Sequence, residues 1–147
     1  MIIRDILNAK GHRVETIWPE RTVAEVLARF EERNISSVVV TDHAGRTIGV
    51  VTDRDVLRAL ARRGAGALQL PTGDVMQSPA PACKAEDSVA DIMHRMTFDR
   101  IRHVVVVDDQ RLDGIVSIGD LVKSRLQDAD LESRVLRERA LSRIAAD

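Results

Sequence analysis

Aromatic side chains are nearly absent. The chain has no tyrosine, one tryptophan (Trp18) and two phenylalanines (Phe30 and Phe98) among 147 residues. The stacking platforms on which single-strand nucleic-acid binders lay their bases are therefore missing. An excess of one charge is missing too, since 22 basic side chains face 23 acidic ones. A net charge of −1 gives no overall attraction to nucleic acid or to an anionic membrane, and neither is expected as a partner. Cysteine occurs once, as Cys83, which excludes an internal disulfide and a cysteine-based metal site. His12, His43, His94 and His103 form no i, i+4 pair, so no metal requirement is expected. The longest apolar run, Val104 to Val107, falls far short of a membrane span. Met1-Ile2-Ile3-Arg4-Asp5 opens no long apolar segment, so no secretory signal is read and the cytoplasm is the expected location. No P-loop, Gly-x-Ser-x-Gly elbow or paired catalytic carboxylates appear, and the chain is not expected to be an enzyme.

What is present is a repetition. Thr22-Val23-Ala24-Glu25-Val26-Leu27 aligns with Ser88-Val89-Ala90-Asp91-Ile92-Met93. The match continues through Ile35/Ile101 and Val38-Val39-Val40/Val104-Val105-Val106. One residue drops out in the next turn, and Gly49/Gly114, Thr52/Ser117 and Asp55/Asp120 then match. Asp5-Ile6-Leu7 also mirrors Asp74-Val75-Met76. This is a tandem duplication.

Each copy has the same pattern. A short extended segment (Val14–Ile17, Ala82–Lys84) precedes an amphipathic helix. Val23, Val26, Leu27 and Phe30 fall at i, i+3, i+4 and i+7, and so do Val89, Ile92, Met93 and Met96. A β-branched run follows (Ser37–Thr41, His103–Val107), as expected of a strand covered on both faces. Turn residues fold the chain back into another strand (Ile48–Val51, Gly114–Val116), which feeds a second helix. Residues 64–73, with three glycines and Pro71, read as the linker, and Gly64 as a helix C-cap. The final helical pattern runs on to about Ala145. The fold class is therefore α/β, with two β-α-β-β-α repeats packed sheet-to-sheet about a pseudo-twofold axis, and a long C-terminal helix. The expected boundaries are 1–66, 67–126 and a helical extension at 127–147.

Two strand-to-helix junctions stand out: Gly49-Val50-Val51-Thr52-Asp53-Arg54-Asp55 and Gly114-Ile115-Val116-Ser117-Ile118-Gly119-Asp120. Both place a carboxylate three residues after a hydroxyl. A carboxylate only accepts hydrogen bonds, which suits a diol. A helix N-terminus favours an anion. The spacing is also that of a capping box, and Thr22…Glu25 and Ser88…Asp91 share it.

The tandem repeat and the Gly-h-h-Ser/Thr-x-x-Asp ending, with Ile101-Arg102-His103-Val104-Val105-Val106-Val107-Asp108 as middle strand, resemble a pair of CBS domains. The chain is similar to stand-alone bacterial proteins made of one such pair. The resemblance implies a regulatory module that binds an adenosyl ligand (AMP, ADP, ATP or NAD(H)) between the repeats and signals to an unidentified regulated protein. It implies that Asp55 and Asp120 accept from ribose hydroxyls and that Thr52 and Ser117 contact phosphate. Ile35 and Ile101 would wall the adenine slot, Arg102 and His103 would reach phosphates, and Ile17 would sit in the cleft lining. It also implies a homodimer formed through the helices. Ser36-Ser37 stand where the second repeat has Arg102-His103, and Gly119 permits close backbone approach. Unequal sites are therefore expected, the stronger at Asp120 beside Arg102 and His103. The alternative is an interaction module whose hydroxyl-x-x-carboxylate units only cap helices.

Overall fold

The computed structural model describes residues 1–146. The elements are α1 (Ile3–Lys10), β1 (Thr16–Ile17), α2 (Val23–Arg33), β2 (Ser37–Thr41), β3 (Thr47–Thr52), α3 (Asp53–Arg63), α4 (Thr72–Val75), β4 (Ala82–Cys83), α5 (Val89–Asp99), β5 (His103–Asp108), β6 (Arg111–Ser117) and α6 (Ile118–Ala146). They build two three-stranded sheets, β1-β2-β3 and β4-β5-β6. In each, the first strand runs parallel to the middle one and the third antiparallel to it.

Local chemistry sets the ends of the helices. Thr22 Oγ1 accepts the Glu25 N–H to begin α2, and Ser88 Oγ accepts the Asp91 N–H to begin α5. Both helices end on a non-glycine residue in the left-handed region, Asn34 at φ 51° and Arg100 at φ 55°. The middle strands are covered on both faces, as their unbroken valine runs require. Val38 and Val40 join Val23, Val26, Val51 and Val56 beneath the helices of the first half. Val39, paired with Val50, is equally buried on the opposite face, as is Val105 on β5. Those two opposite faces form the sheet-to-sheet contact. Each fully buried valine contributes about 1.5–3 kcal/mol.

The repeats exchange short segments. α1 precedes the first repeat yet packs on the second: Ile3, Ile6 and Leu7 share a core with Val89, Ile92, Val104, Val106 and Val116. Backbone bonds from Ile3 N–H to Asp87 C=O and from Arg4 N–H to Ala85 C=O fix it there. In return, Leu68, Leu70, Val75 and Met76 cover the first half's core. Two equivalent glycines admit these visitors. A Cβ on Gly114 would lie 2.6 Å from Leu7 Cδ2, and one on Gly49 would lie 2.6 Å from Met76 Sδ.

The linker expected at 64–73 is itself structured. It is a 3₁₀ helix (Gly64–Gln69) followed by α4, with Ala67 and Thr72 fully buried. Leucines at 68 and 70 have a core to cover, and the Thr72 hydroxyl donates to Arg21 C=O at 2.6 Å. Gly64 does cap α3, its N–H reaching Leu60 C=O. α6 runs without a break past residue 126. The expected extension ends at residue 147, which lies outside the described residues. No helix among the described residues is long and apolar enough to cross a membrane.

Candidate functional site: two clefts between the repeats

The two strand-to-helix junctions differ from the starts of α2 and α5 and share one feature with that of α1, where Asp5 Oδ2 accepts from Ile2 N–H at 3.0 Å. At both, the carboxylate reaches back to the backbone N–H of the hydroxyl residue. Asp55 Oδ2 accepts from Thr52 N–H at 2.9 Å, and Asp120 Oδ2 accepts from Ser117 N–H at 2.8 Å. The reciprocal bonds, Asp55 N–H to Thr52 Oγ1 (3.4 Å) and Asp120 N–H to Ser117 Oγ (3.1 Å), complete two capping boxes. The spacing therefore does cap helices, and only the surroundings separate the two copies.

Asp55 is turned inward and is 6% exposed. Besides the Thr52 backbone, the Thr52 hydroxyl donates to Oδ2 (3.0 Å) and the Gln77 amide donates to both carboxylate oxygens (3.1 Å each). Gln77 is held in turn by paired backbone bonds to Val50. Asp55 lines a cavity with Arg58, Arg62 and Asp74, away from the cleft where Thr52 opens. The ribose-binding place expected for it is thus filled by protein.

Asp120 is half-buried. Its Oδ2 also accepts from Lys10 Nζ at 2.7 Å, and among the described residues nothing donates to Oδ1. Burial works to raise its carboxyl, but the Lys10 ammonium and the Ser117 N–H outweigh that and hold it below the usual value. Asp120 and Ser117 open into a cleft of about 690 Å³ shared with Ile35, Ser36 and Ser37 of the first repeat. Val14, Ile35 and Ile115 supply apolar wall, and Lys10, Arg13 and Arg33 bring positive charge. Arg13 and Arg33 also meet Glu15, each at 3.5 Å.

A second cleft, of about 510 Å³, brings Thr52, Asp53, Arg54 and Arg58 against Asp99, Arg100, Ile101, Arg102 and His103 of the other repeat. Each cleft thus takes its strand-to-helix junction from one repeat and its middle-strand entrance from the other. Arg102 therefore stands beside Thr52 and Arg54, not beside Asp120 as expected. His103 borders both clefts and lies 3.2 Å from Ser36 Oγ through Nε2. Burial pulls its pKa below the ordinary value despite the opposing carboxylates of Asp53 and Asp120. Ile17 lies in the core of the first half, 4% exposed, because its pairing with Val40 turns it beneath the helices. Gly119 lines neither cleft, and a Cβ there would meet only Ser117 Oγ, at 3.6 Å.

Lys10 belongs to a basic run, Lys10-Gly11-His12-Arg13, that as a sequence could touch phosphate but reads first as an exposed turn; the structure sets Lys10 in the cleft, on Asp120. Gln77 carried no signal, since nothing local announces that its amide will meet Asp55. Cys83 is buried, and burial pushes its thiol up to about 12, as befits a small core hydrophobe.

The duplication agrees with the comparisons. The CBS domain model matches residues 3–62 and again 73–126. The crystal structure of the CBS-domain containing protein ATU1752 from Agrobacterium tumefaciens superposes with a TM-score of 0.82 at 37% identity, covering 84% of this chain and 92% of that one. CBS domain protein PAE2072 from Pyrobaculum aerophilum, solved in complex with AMP, gives 0.72 at 28% identity over 82% and 89% of the two chains. The mitochondrial CBS domain-containing protein CBSX3 of Arabidopsis thaliana is 29% identical over 130 residues. That alignment takes in 83% of this chain and 63% of the relative, so the chain spans somewhat under two thirds of its length. The chain belongs to the CBS-domain family and carries the tandem pair.

Proposed function

We propose that the cleft holding Ser117 and Asp120 binds an adenosyl ligand of the AMP, ADP, ATP or NAD(H) kind, and that its occupancy is read by a partner protein. The observation that carries this is the contrast between two equivalent carboxylates. Asp55 has both carboxylate oxygens engaged by protein, whereas among the described residues nothing donates to Asp120 Oδ1, in a roomy cleft. A ribose diol would donate to that oxygen, the base would lie against Val14, Ile35 and Ile115, and phosphate would meet Lys10 and the Ser117 hydroxyl. The cleft is within the size range of small-molecule sites. The AMP complex of the Pyrobaculum relative supports the ligand class. A ligand acts on the partner only through its differential affinity for two conformations of the pair.

Titration calorimetry with adenosine and with AMP is expected to show one site per chain, and at 100 times Kd the ligand should stabilise the protein by about 2.7 kcal/mol. Two equal adenosine sites, or none, would overturn the reading.

A second copy of the chain is the partner we assign to α6. Beyond its first turns the helix is solvent-exposed, and Leu126 (61%), Leu136 (65%), Leu141 (65%) and Ile144 (72%) carry their apolar surface outward. Sedimentation at micromolar concentration is expected to show a dimer, and Leu136→Glu with Leu141→Glu a monomer. A monomeric wild-type protein would refute this.

A further inference from the structure

The groove between α3 and α4 is a cavity of about 360 Å³ that belongs to the first half alone, outside both clefts. Ala59, Leu70, Val75 and Met76 give it an apolar floor, and Arg58, Arg62, Arg63 and Asp74 stand exposed at its rim. Among the described residues none of these four charged side chains makes a hydrogen bond or an ion pair, whereas Arg21, Arg46 and Arg95 each meet an acid four residues away. The unpaired carboxylate has a definite cause. Asp74 holds in α4 the place that Asp5 holds in α1, where Asp5 Oδ2 accepts the N–H of Ile2, three residues earlier. The residue three before Asp74 is Pro71, which has no N–H to give. Asp74 thus keeps the acid and loses the cap.

The duplication does not account for the arginines. The equivalent groove between α1 and α6 has Lys123, Gln127 and Asp128 where this one has Arg58, Arg62 and Arg63. Arg58 and Arg62 are four apart on one helix, an arrangement that repels. Gln77 lines the groove too. Its amide N–H groups go to Asp55, and its Oε1 receives no hydrogen bond among the described residues. A purely anionic ligand would suit the arginines and set a like charge against Asp74. An α-amino acid with a second carboxylate suits every group. Its two carboxylates would take guanidinium groups through paired donors, its ammonium would take Asp74 and Gln77 Oε1, and its methylenes would lie on the apolar floor. The cavity is at the small end of ligand sites, which matches a single amino acid.

We propose that the groove between α3 and α4 binds an acidic α-amino acid of the glutamate or aspartate kind. The proposal does not rest on the reading of the Asp120 cleft.

The test titrates the full chain by calorimetry with L-glutamate and with L-aspartate, alone and with saturating adenosine. One amino acid per chain is expected, unaffected by adenosine and weakened by added salt. Glutarate, which lacks the ammonium, and norvaline, which lacks the second carboxylate, should each bind at least about tenfold more weakly than glutamate. Asp74→Asn and, separately, Arg62→Gln should each weaken the amino acid about tenfold. Asp74→Asn should not weaken glutarate, which offers that carboxylate nothing. Both side chains are exposed, so unchanged melting temperatures will show that the variants fold. No binding of either amino acid, glutarate binding as tightly as glutamate, binding indifferent to both substitutions, or displacement by adenosine overturns the proposal.

Discussion

Leu7→Ala is expected to lower stability by about 3 kcal/mol. For a chain of this length that corresponds to a melting temperature roughly 6–12 °C lower. Leu7 is fully buried, and its side chain fills the space left by the missing Cβ of Gly114. Its removal opens a cavity in the second half's core from a residue that precedes the first half. Leu57→Ala, at a leucine of α3 that is 65% exposed and lies off the α6 face, serves as the control and should move stability by less than about 0.5 kcal/mol. Urea melts of both variants decide the matter. A loss under about 1 kcal/mol for Leu7→Ala would mean that α1 is not docked on the second sheet.

The second large effect separates the two carboxylates. Asp55→Ala should cost about 2–3 kcal/mol of stability, because the buried Thr52 N–H and the Gln77 amide lose their acceptor together. Adenosine affinity should stay within about twofold, as Asp55 does not face a cleft that could hold the nucleoside. Asp120→Ala should do the reverse. It leaves a half-exposed cap unmade, at about 1 kcal/mol, and weakens adenosine about a hundredfold. Calorimetry paired with thermal melts reads both quantities. The assignment fails if Asp55→Ala abolishes binding while stability holds.

The duplication, the strands and the helix starts were legible because they rest on local chemistry. Val38-Val39-Val40 and its copy announce buried strands, and Thr22 and Ser88 announce caps. The long final helix was legible for the same reason. The site was legible only to the level of residue type. Repeat alignment placed Arg102 and His103 with Asp120 because they share a repeat. The fold instead pairs each junction with the other repeat's strand entrance, and that is a property of how two halves meet, which no spacing encodes. α1 and α4 were missed because each is short, and α1 also packs away from its neighbours in sequence. The state of Asp55 was hidden for a similar reason: its partner Gln77 lies 22 positions away and reaches it only after β3 and Gln77 have paired.

The exchange of segments also sets an order of events during synthesis. The surface that Ile3, Ile6 and Leu7 cover includes Val104, Val106, Val116 and Leu121. Until those residues have left the ribosome, the eight residues of α1 have no apolar partner, and a helix that short is marginal alone in water. The first half has no such wait, since its core is complete once Val75 and Met76 have emerged. The segment carrying Lys10 is therefore made before both sheets and fixed in place only after the second is complete. The Asp120 cleft closes only when both ends of the duplicated region meet.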